Sequence, residues 1–401
     1  MSFLPQPHDP VTVIESDAHA LIVARELAAI LRTDSALRDR ERRLPHAELA
    51  LFSRSGLWGI SVPKAFGGAS VSNVTLARVI SLIAQADASL GQIPQNHFYA
   101  LEVLRVNGSE QQQRRLYGEV LAGRRFGNAL AELGTKTAHD RTTSLSRDAD
   151  GFRINGRKFY ATGALYAQRI PTSVIDEQGV QQLAFVAADS QGLEVIDDWS
   201  GFGQRTTGSG SVVFENVAVA ADDVVPFQSA FERPTPVGPL AQILHAAIDT
   251  GIARAAYEDA LQFVRTRTRP WIDSGVDKAV DDPLSLKTIG QLAIRLHAAE
   301  ALLERAGEFL DRAQAQPNAD TVAAASIAVA EVRAISTEIS LAAGSTLFEL
   351  AGSQATLAEH GLDRHWRNAR THTLHDPVRW KYHAIGNYYL NAEKPPLRGT
   401  I

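Results

Sequence analysis

Cysteine is missing from all 401 residues, and the single methionine is Met1. The first absence excludes disulfides, thiolate nucleophiles and cysteine-bound zinc or iron–sulfur clusters. Five tryptophans are retained, so scarce residue types are not avoided in general. Compositional bias explains the sulfur count as well as two functional accounts do. A protein exposed to peroxide-level oxidants gains by lacking the side chains that oxidise most readily, and one made during sulfur shortage gains by containing no sulfur. No stretch of 18 apolar residues occurs, which argues against a membrane span. The segment MSFLPQPHDPVTVIESDAHA carries acids and prolines where a secretory leader has a basic segment and an apolar run, so a cytoplasmic location is expected. A net charge of -5 with no Arg/Lys-rich tract leaves no basic field for nucleic acid.

What is present suits a globular chain of two or three domains: 45% apolar and 21% charged residues. Three regions differ in period. Residues 1–124 read as a helical domain, with Leu21, Ala24, Leu27, Ala28 and Leu31 at helical spacing. Gly56 to Gly68 reads as a loop packed under helices, its glycines permitting positive φ. Residues 125–234 read as a β domain. Asp150-Gly151 and Asn155-Gly156 are tight-turn signals, and Leu183 to Val186 and Ser211 to Phe214 are strand-like runs. Residues 235–401 return to long helices, with Asp320 as an expected N-cap and Val332, Ile335 and Ile339 at spacings of three and four. The whole is an α+β protein.

Several motifs, in this order, resemble those of the acyl-CoA dehydrogenase superfamily. They are the glycine-rich segment 56–68, Ala86-Asp87-Ala88-Ser89, the strand Asn155-Gly156-Arg157-Lys158-Phe159-Tyr160-Ala161-Thr162, Gly203-Gln204-Arg205-Thr206-Thr207-Gly208-Ser209, and Val213-Phe214-Glu215-Asn216-Val217. The resemblance implies an N-terminal helical domain, a middle β-barrel, a C-terminal four-helix bundle, a flavin held between barrel and bundle, and a homotetramer.

Two departures bear on activity. Asp376 falls where many dehydrogenases carry the glutamate that abstracts the α-proton, one methylene shorter and followed by Pro377, which biases it away from helical geometry. The adenylate-binding Arg-x-x-Phe-Gly is replaced by Arg265-Thr266-Arg267-Thr268-Arg269-Pro270-Trp271, whose arginines suit a terminal phosphate and hence FMN over FAD. Both departures, with the stretch from Leu362 to Pro377, are similar to the reduced-flavin monooxygenase branch of this superfamily. That likeness implies a two-component enzyme that receives FMNH2 from a separate NAD(P)H-dependent reductase, with O2 as co-substrate, and forms a C4a-hydroperoxyflavin that oxygenates a small organosulfur compound. An alkanesulfinate such as methanesulfinate, an aromatic sulfur compound, and an FAD-dependent dehydrogenation are the alternatives it leaves.

Five of the twelve histidines lie between His360 and His383. His372 and His375 are expected on one side of a helical turn at the flavin's reactive edge, since imidazoles donate, accept and change charge near neutrality. No metal is expected, because no Glu-x-x-His motif accompanies them. The resemblance further implies His97 beside the flavin on the substrate side, Asn128 and Thr162 at its N5/O4 region, Trp199 against it, Arg267 and Arg269 at its phosphate, and Ser353 and Gln354 in its binding loop. A satisfied core histidine and ordinary turn and strand residues are the bland alternatives for His97, Asn128 and Thr162.

Overall fold

The computed structural model describes residues 10–137, 141–149 and 151–401; Met1 and Asp150 lie outside them. Seven helices come first: α1 (Asp17–Arg32), α2 (Ser35–Glu41), α3 (His46–Arg54), α4 (Asn73–Ala86), α5 (Ala88–Gln92), α6 (Gln95–Asn107) and α7 (Glu110–Leu121). In α1, Ala20, Val23, Ala24, Leu27, Ala28 and Leu31 are buried on one face, and the Ser16 hydroxyl caps the start by accepting from His19 N–H. Gly56 and Gly67 have φ of 77° and 89°, as the 56–68 segment requires. Asp87 ends α4 and starts α5: one carboxylate oxygen accepts from the N–H groups of Ser89 and Leu90, and the other accepts from buried Arg38 at 3.0 and 2.9 Å. This fixes the direction of α5 and so the place of Gln92 at its end.

The strands are β1 (Ser144–Asp148), β2 (Gly151–Lys158), β3 (Arg169–Ile175), β4 (Gln181–Ala187), β5 (Leu193–Ile196), β6 (Ser211–Val219) and β7 (Val224–Pro226). They form one seven-stranded sheet in the order β5-β6-β2-β1-β3-β4-β7, so the region expected as a barrel is a sheet with β5 and β7 at its ends. Strands β1 and β2 pair antiparallel with Asp148 opposite Gly151; the expected Asp150-Gly151 turn falls partly outside the described residues. Asn155-Gly156 does not turn the chain. It is a bulge within β2, because Asn155 accepts from Asn216 N–H and Gly156, with φ 148°, lies where a Cβ would meet Thr143 at 2.7 Å.

The last part holds α8 (Val237–Thr266), α9 (Pro283–Ala315), α10 (Ala319–Ala351), α11 (Asp363–His372) and α12 (Arg379–Asn391). Asn318, one residue outside α10, is its N-cap and forms a capping box with Thr321. Asp320 sits inside the first turn, where its charge still suits the helix dipole. Among the described residues no helix is long and apolar enough to cross a membrane. Helix α8 packs against α4, α9 and α10 and is buried on almost every face.

Sheet and bundle meet at a loop. Gly203 presses against α11 so closely that a Cβ would stand 2.0 Å from the Arg367 carbonyl oxygen, and the Gln204 N–H donates to Asn368 Oδ1 at 2.7 Å. Gly203→Ala is therefore expected to push the loop off α11 and cost about 1–3 kcal/mol. Urea denaturation measures this, and an unchanged midpoint would show that the contact yields freely.

Candidate active site

The buried faces of α8 carry polar residues that must find partners. Gln242, His245 and Asp249 are spaced by three and four and so form one stripe; their partners come from α10, α11 and α12, the turn at Asp376 and the segment at Gly399. Asp249, with no exposure, accepts from His372 Nδ1–H at 2.5 Å through one oxygen and from Arg333 of α10 at 2.5 Å through the other. Nε2 of His372 lies 3.1 Å from Nδ1 of His245. His375, in the turn after α11, completes a cluster of three rings with centroids 4.5 to 5.1 Å apart.

The carboxylate sets the protons. Asp249 must accept, so His372 carries hydrogen on Nδ1 and presents a lone pair at Nε2. His245 then donates from Nδ1, which leaves its own Nε2 as a bare acceptor with no hydrogen bond among the described residues. His375 donates from Nδ1 to the His372 carbonyl at 2.6 Å and accepts at Nε2 from the Gln92 amide at 3.2 Å. The expected helical face is a tight turn at this point, since α11 ends at His372.

Electrostatics favour the neutral rings of His245 and His375. Burial, reinforced by its imidazole neighbours, drops His245 well below the ordinary histidine range and brings His375 down to about 4, even though His375 retains solvent exposure. Burial opposes the charge of Asp249, but His372 and Arg333 outweigh it and hold the carboxyl below its usual value. Beside them Asp376 is enclosed: its Oδ2 faces Arg333 at 3.6 Å and Lys381 at 3.5 Å, and its Oδ1 lies 3.4 Å from the Gln242 amide. Burial lowers Lys381 to about 8, with Asp376 opposing the shift.

Thr162 begins a second polar chain. The Thr207 hydroxyl has its one hydrogen committed to the Gln204 carbonyl at 2.9 Å. Ser209 must therefore donate to Thr207 at 2.6 Å, and Thr162 to Ser209 at 2.7 Å. Thr162 is left with lone pairs only and can accept from a ligand but not donate to it. Asn128 has both ends of its amide engaged, donating to the Tyr160 carbonyl and accepting from Leu130 N–H, and it lines a narrow surface crevice with Asn96, Tyr99 and Leu183. Tyr160 holds φ 56°, a strained value for an aromatic residue. Trp199 donates from Nε1 to the Gln204 carbonyl at 2.8 Å.

Other expected residues lie elsewhere. His97 is fully buried, with Nδ1 accepting from Phe126 N–H at 3.0 Å and Nε2 donating to the Trp58 carbonyl at 2.9 Å. Both ring nitrogens are spent on the fold, which is the arrangement of a satisfied core histidine and leaves no site for proton transfer to a ligand. Arg267 and Arg269 are exposed just beyond α8, and Ser353 and Gln354 are exposed just beyond α10. At 1.5 Å per residue these positions stand roughly 30 Å along the helices from His245 and Arg333. The two segments lie at the same end, where Phe263 and His360 meet with ring centroids 5.2 Å apart. His245, Asp249, Arg333, Gln92, Gln242 and Lys381 were not singled out by the sequence reading. The sequence signal for Gln242, His245 and Asp249 is a polar stripe inside an otherwise apolar α8; Gln92, Arg333 and Lys381, on α5, α10 and α12, carry none.

Burial, opposed by the Trp58 bond, lowers His97 to about 3. The unfolded chain then binds a proton there from about pH 6.5 downward while the folded protein does not, so stability falls with acidification through that window. Urea midpoints followed from about pH 7.5 to 5 are expected to fall less steeply in His97→Gln, by up to about 1.4 kcal/mol per pH unit. Identical slopes would remove His97 from the acid response.

The acyl-CoA dehydrogenase N-terminal domain family matches residues 19–124, and its C-terminal domain family matches residues 243–380. The dibenzothiophene monooxygenase of Mycolicibacterium goodii is 34% identical over 96% of this chain and 98% of its own length. FMN-bound TdsC from Paenibacillus sp. A11-2 superposes with a TM-score of 0.91 at 31% identity, covering 95% of this chain and all of that one. The methanesulfinate monooxygenase MsuC of Pseudomonas fluorescens gives 0.88 at 30% identity, covering 95% and 99%. With both terminal domains matched and full-length relatives above 30% identity, the chain belongs to the acyl-CoA dehydrogenase superfamily, in its reduced-flavin-dependent monooxygenase branch.

Proposed function

We propose that this protein uses FMNH2, delivered by a separate NAD(P)H-dependent reductase, and O2 to oxygenate a small organosulfur compound in the cytoplasm. The observation that carries the reading is the Asp249–His372–His245 relay, which stands beside a carboxylate unsuited to dehydrogenation. An α-proton base needs a carboxylate free to reach its substrate. Asp376 is instead hemmed in by Arg333, Lys381 and Gln242.

FMN fits the donor set. Thr162, restricted to accepting, complements the N–H that a reduced flavin carries at N5 and that oxidised flavin lacks; Asn128 and Trp199 would hold the same ring. Arg267, Arg269, Ser353 and Gln354 are too far along the bundle for a mononucleotide bound near His245, so in this reading they hold the phosphate of a flavin seated mainly in a second copy, within a homotetramer. Bound FMNH2 supplies the two electrons with which O2 is split between the substrate and water. The protein's own contribution is proton handling. A proton taken up at His245 Nε2 moves charge through His372 onto the side facing Asp249, and its return at the same atom protonates a departing oxygen.

The best substrate is an alkanesulfinate such as methanesulfinate. Its sulfur gains one oxygen to give the sulfonate while FMNH2 becomes FMN and the second oxygen leaves as water. The buried cations Arg333 and Lys381 stand beside the cluster, on the side a small anion would favour, and a chain almost free of sulfur suits sulfur scarcity. With reductase, NADH, FMN and O2, methanesulfonate is expected as the product of methanesulfinate; turnover of dibenzothiophene alone would assign an aromatic sulfur substrate, and turnover of neither would overturn the reading. Arg267→Ala is expected to weaken FMN binding by about 1.5–3 kcal/mol, read by titration calorimetry, and an unaltered affinity would place the phosphate elsewhere. Thr162→Val is expected to bring the affinities for reduced and oxidised FMN closer by about 1 kcal/mol. An unchanged ratio of anaerobic and aerobic dissociation constants would contradict the hydroxyl's assigned polarity.

A further inference from the structure

We propose that His245, His372 and His375 also form a binding site for one borderline transition-metal ion, of which Zn2+ is the reference case. One nitrogen from each ring lies within 4.8 Å of the others. The His245–His372 pair at 3.1 Å is already close to the roughly 3.3 Å spacing that two imidazoles adopt on a tetrahedral zinc. The surrounding bonds have the pattern that metal sites require, in which each ligand ring gives its other N–H to a fixed acceptor. His372 gives Nδ1–H to the Asp249 carboxylate and His375 gives Nδ1–H to the His372 carbonyl, so each would meet the ion with Nε2, His375 giving up the hydrogen bond it accepts there from the Gln92 amide. The ion would replace the hydrogen that His245 shares with His372, and that hydrogen would pass to His245 Nε2.

A second observation points to an occupant. Gln92 is 2% exposed, and its Oε1 is buried without a hydrogen-bond partner while its Nε2 touches His375. A water on the open fourth position of a three-histidine metal would satisfy that oxygen. The nearby charges balance, Asp249 and Asp376 against Arg333 and Lys381, so the ion meets no net repulsion, and the solvent exposure of His375 provides an entry. Spacing along the chain could not show this site, because its third ligand comes from α8, more than a hundred residues before the other two. Metal and relay proton compete for the same nitrogens, so an ion held here would silence proton transfer.

The test uses flavin-free, full-length protein, so its outcome does not depend on the flavin reading. Calorimetric titration with ZnCl2 is expected to give one ion per chain, and CoCl2 to give the strong visible absorption of low-coordinate Co(II). His375→Ala, at the exposed rim where folding is not at risk, and His245→Gln should each abolish both signals. Asp249→Asn should weaken Zn2+ binding roughly 10- to 100-fold. Absence of the cobalt spectrum in the wild-type protein, or Zn2+ binding of equal affinity in both histidine variants, would overturn the proposal.

Discussion

A carboxylate and an imidazole in contact inside the bundle, Asp249 and His372, set the terms for everything around them. Neither has any solvent exposure. A buried carboxylate left without partners costs several kcal/mol, and deleting one member of such a pair typically costs 3–5, so three helices are tied to this point: α8 through Asp249, α10 through Arg333 and α11 through His372. The same contact assigns the hydrogen on His372, which assigns the one on His245, which leaves a single bare nitrogen at the end of the chain. Structure and proton logic are thus one constraint.

The sheet is brought to this point by contacts that tolerate little substitution. Gly203 fits under α11 for want of a side chain, and Asn368 on α11 takes the Gln204 N–H. The Gln204 carbonyl in turn anchors the hydroxyl chain that reaches Thr162. A fixed acceptor on one side and a bare imidazole nitrogen on the other therefore hang from the same loop-to-helix junction. Asp87 performs a similar service at a distance. By capping α5 while pairing with Arg38, it sets the helix whose last residue, Gln92, meets His375.

The sequence made local chemistry legible and distant pairing much less so. The α1 stripe, the Gly56 and Gly67 turns and the change from helix to strand and back all rest on neighbours within a few residues, and they are found where the pattern places them. Asn155-Gly156 carries a hairpin signature, but pairing of both flanks with β1 and β6 makes it a bulge. Asn318, two residues before the expected Asp320, is the cap, because the preceding loop lets the helix begin earlier. His372 and His375 stood out through their spacing. His245 and Asp249 did not, since α8 is apolar on most sides and their partners lie over eighty residues away. His97 shows the opposite error: a histidine in a plausible position whose two nitrogens are both spent on the backbone of Trp58 and Phe126.

The most direct test of the relay is the ratio of oxygenated product to FMNH2 consumed, measured for Asp249→Asn beside the wild type with hydrogen peroxide followed in parallel. Asparagine keeps the shape but supports the wrong His372 tautomer. The account requires FMN affinity to stay as it was while the ratio drops at least about tenfold and peroxide takes up the difference. A variant that folds, binds FMN and oxygenates its substrate with undiminished coupling would contradict it.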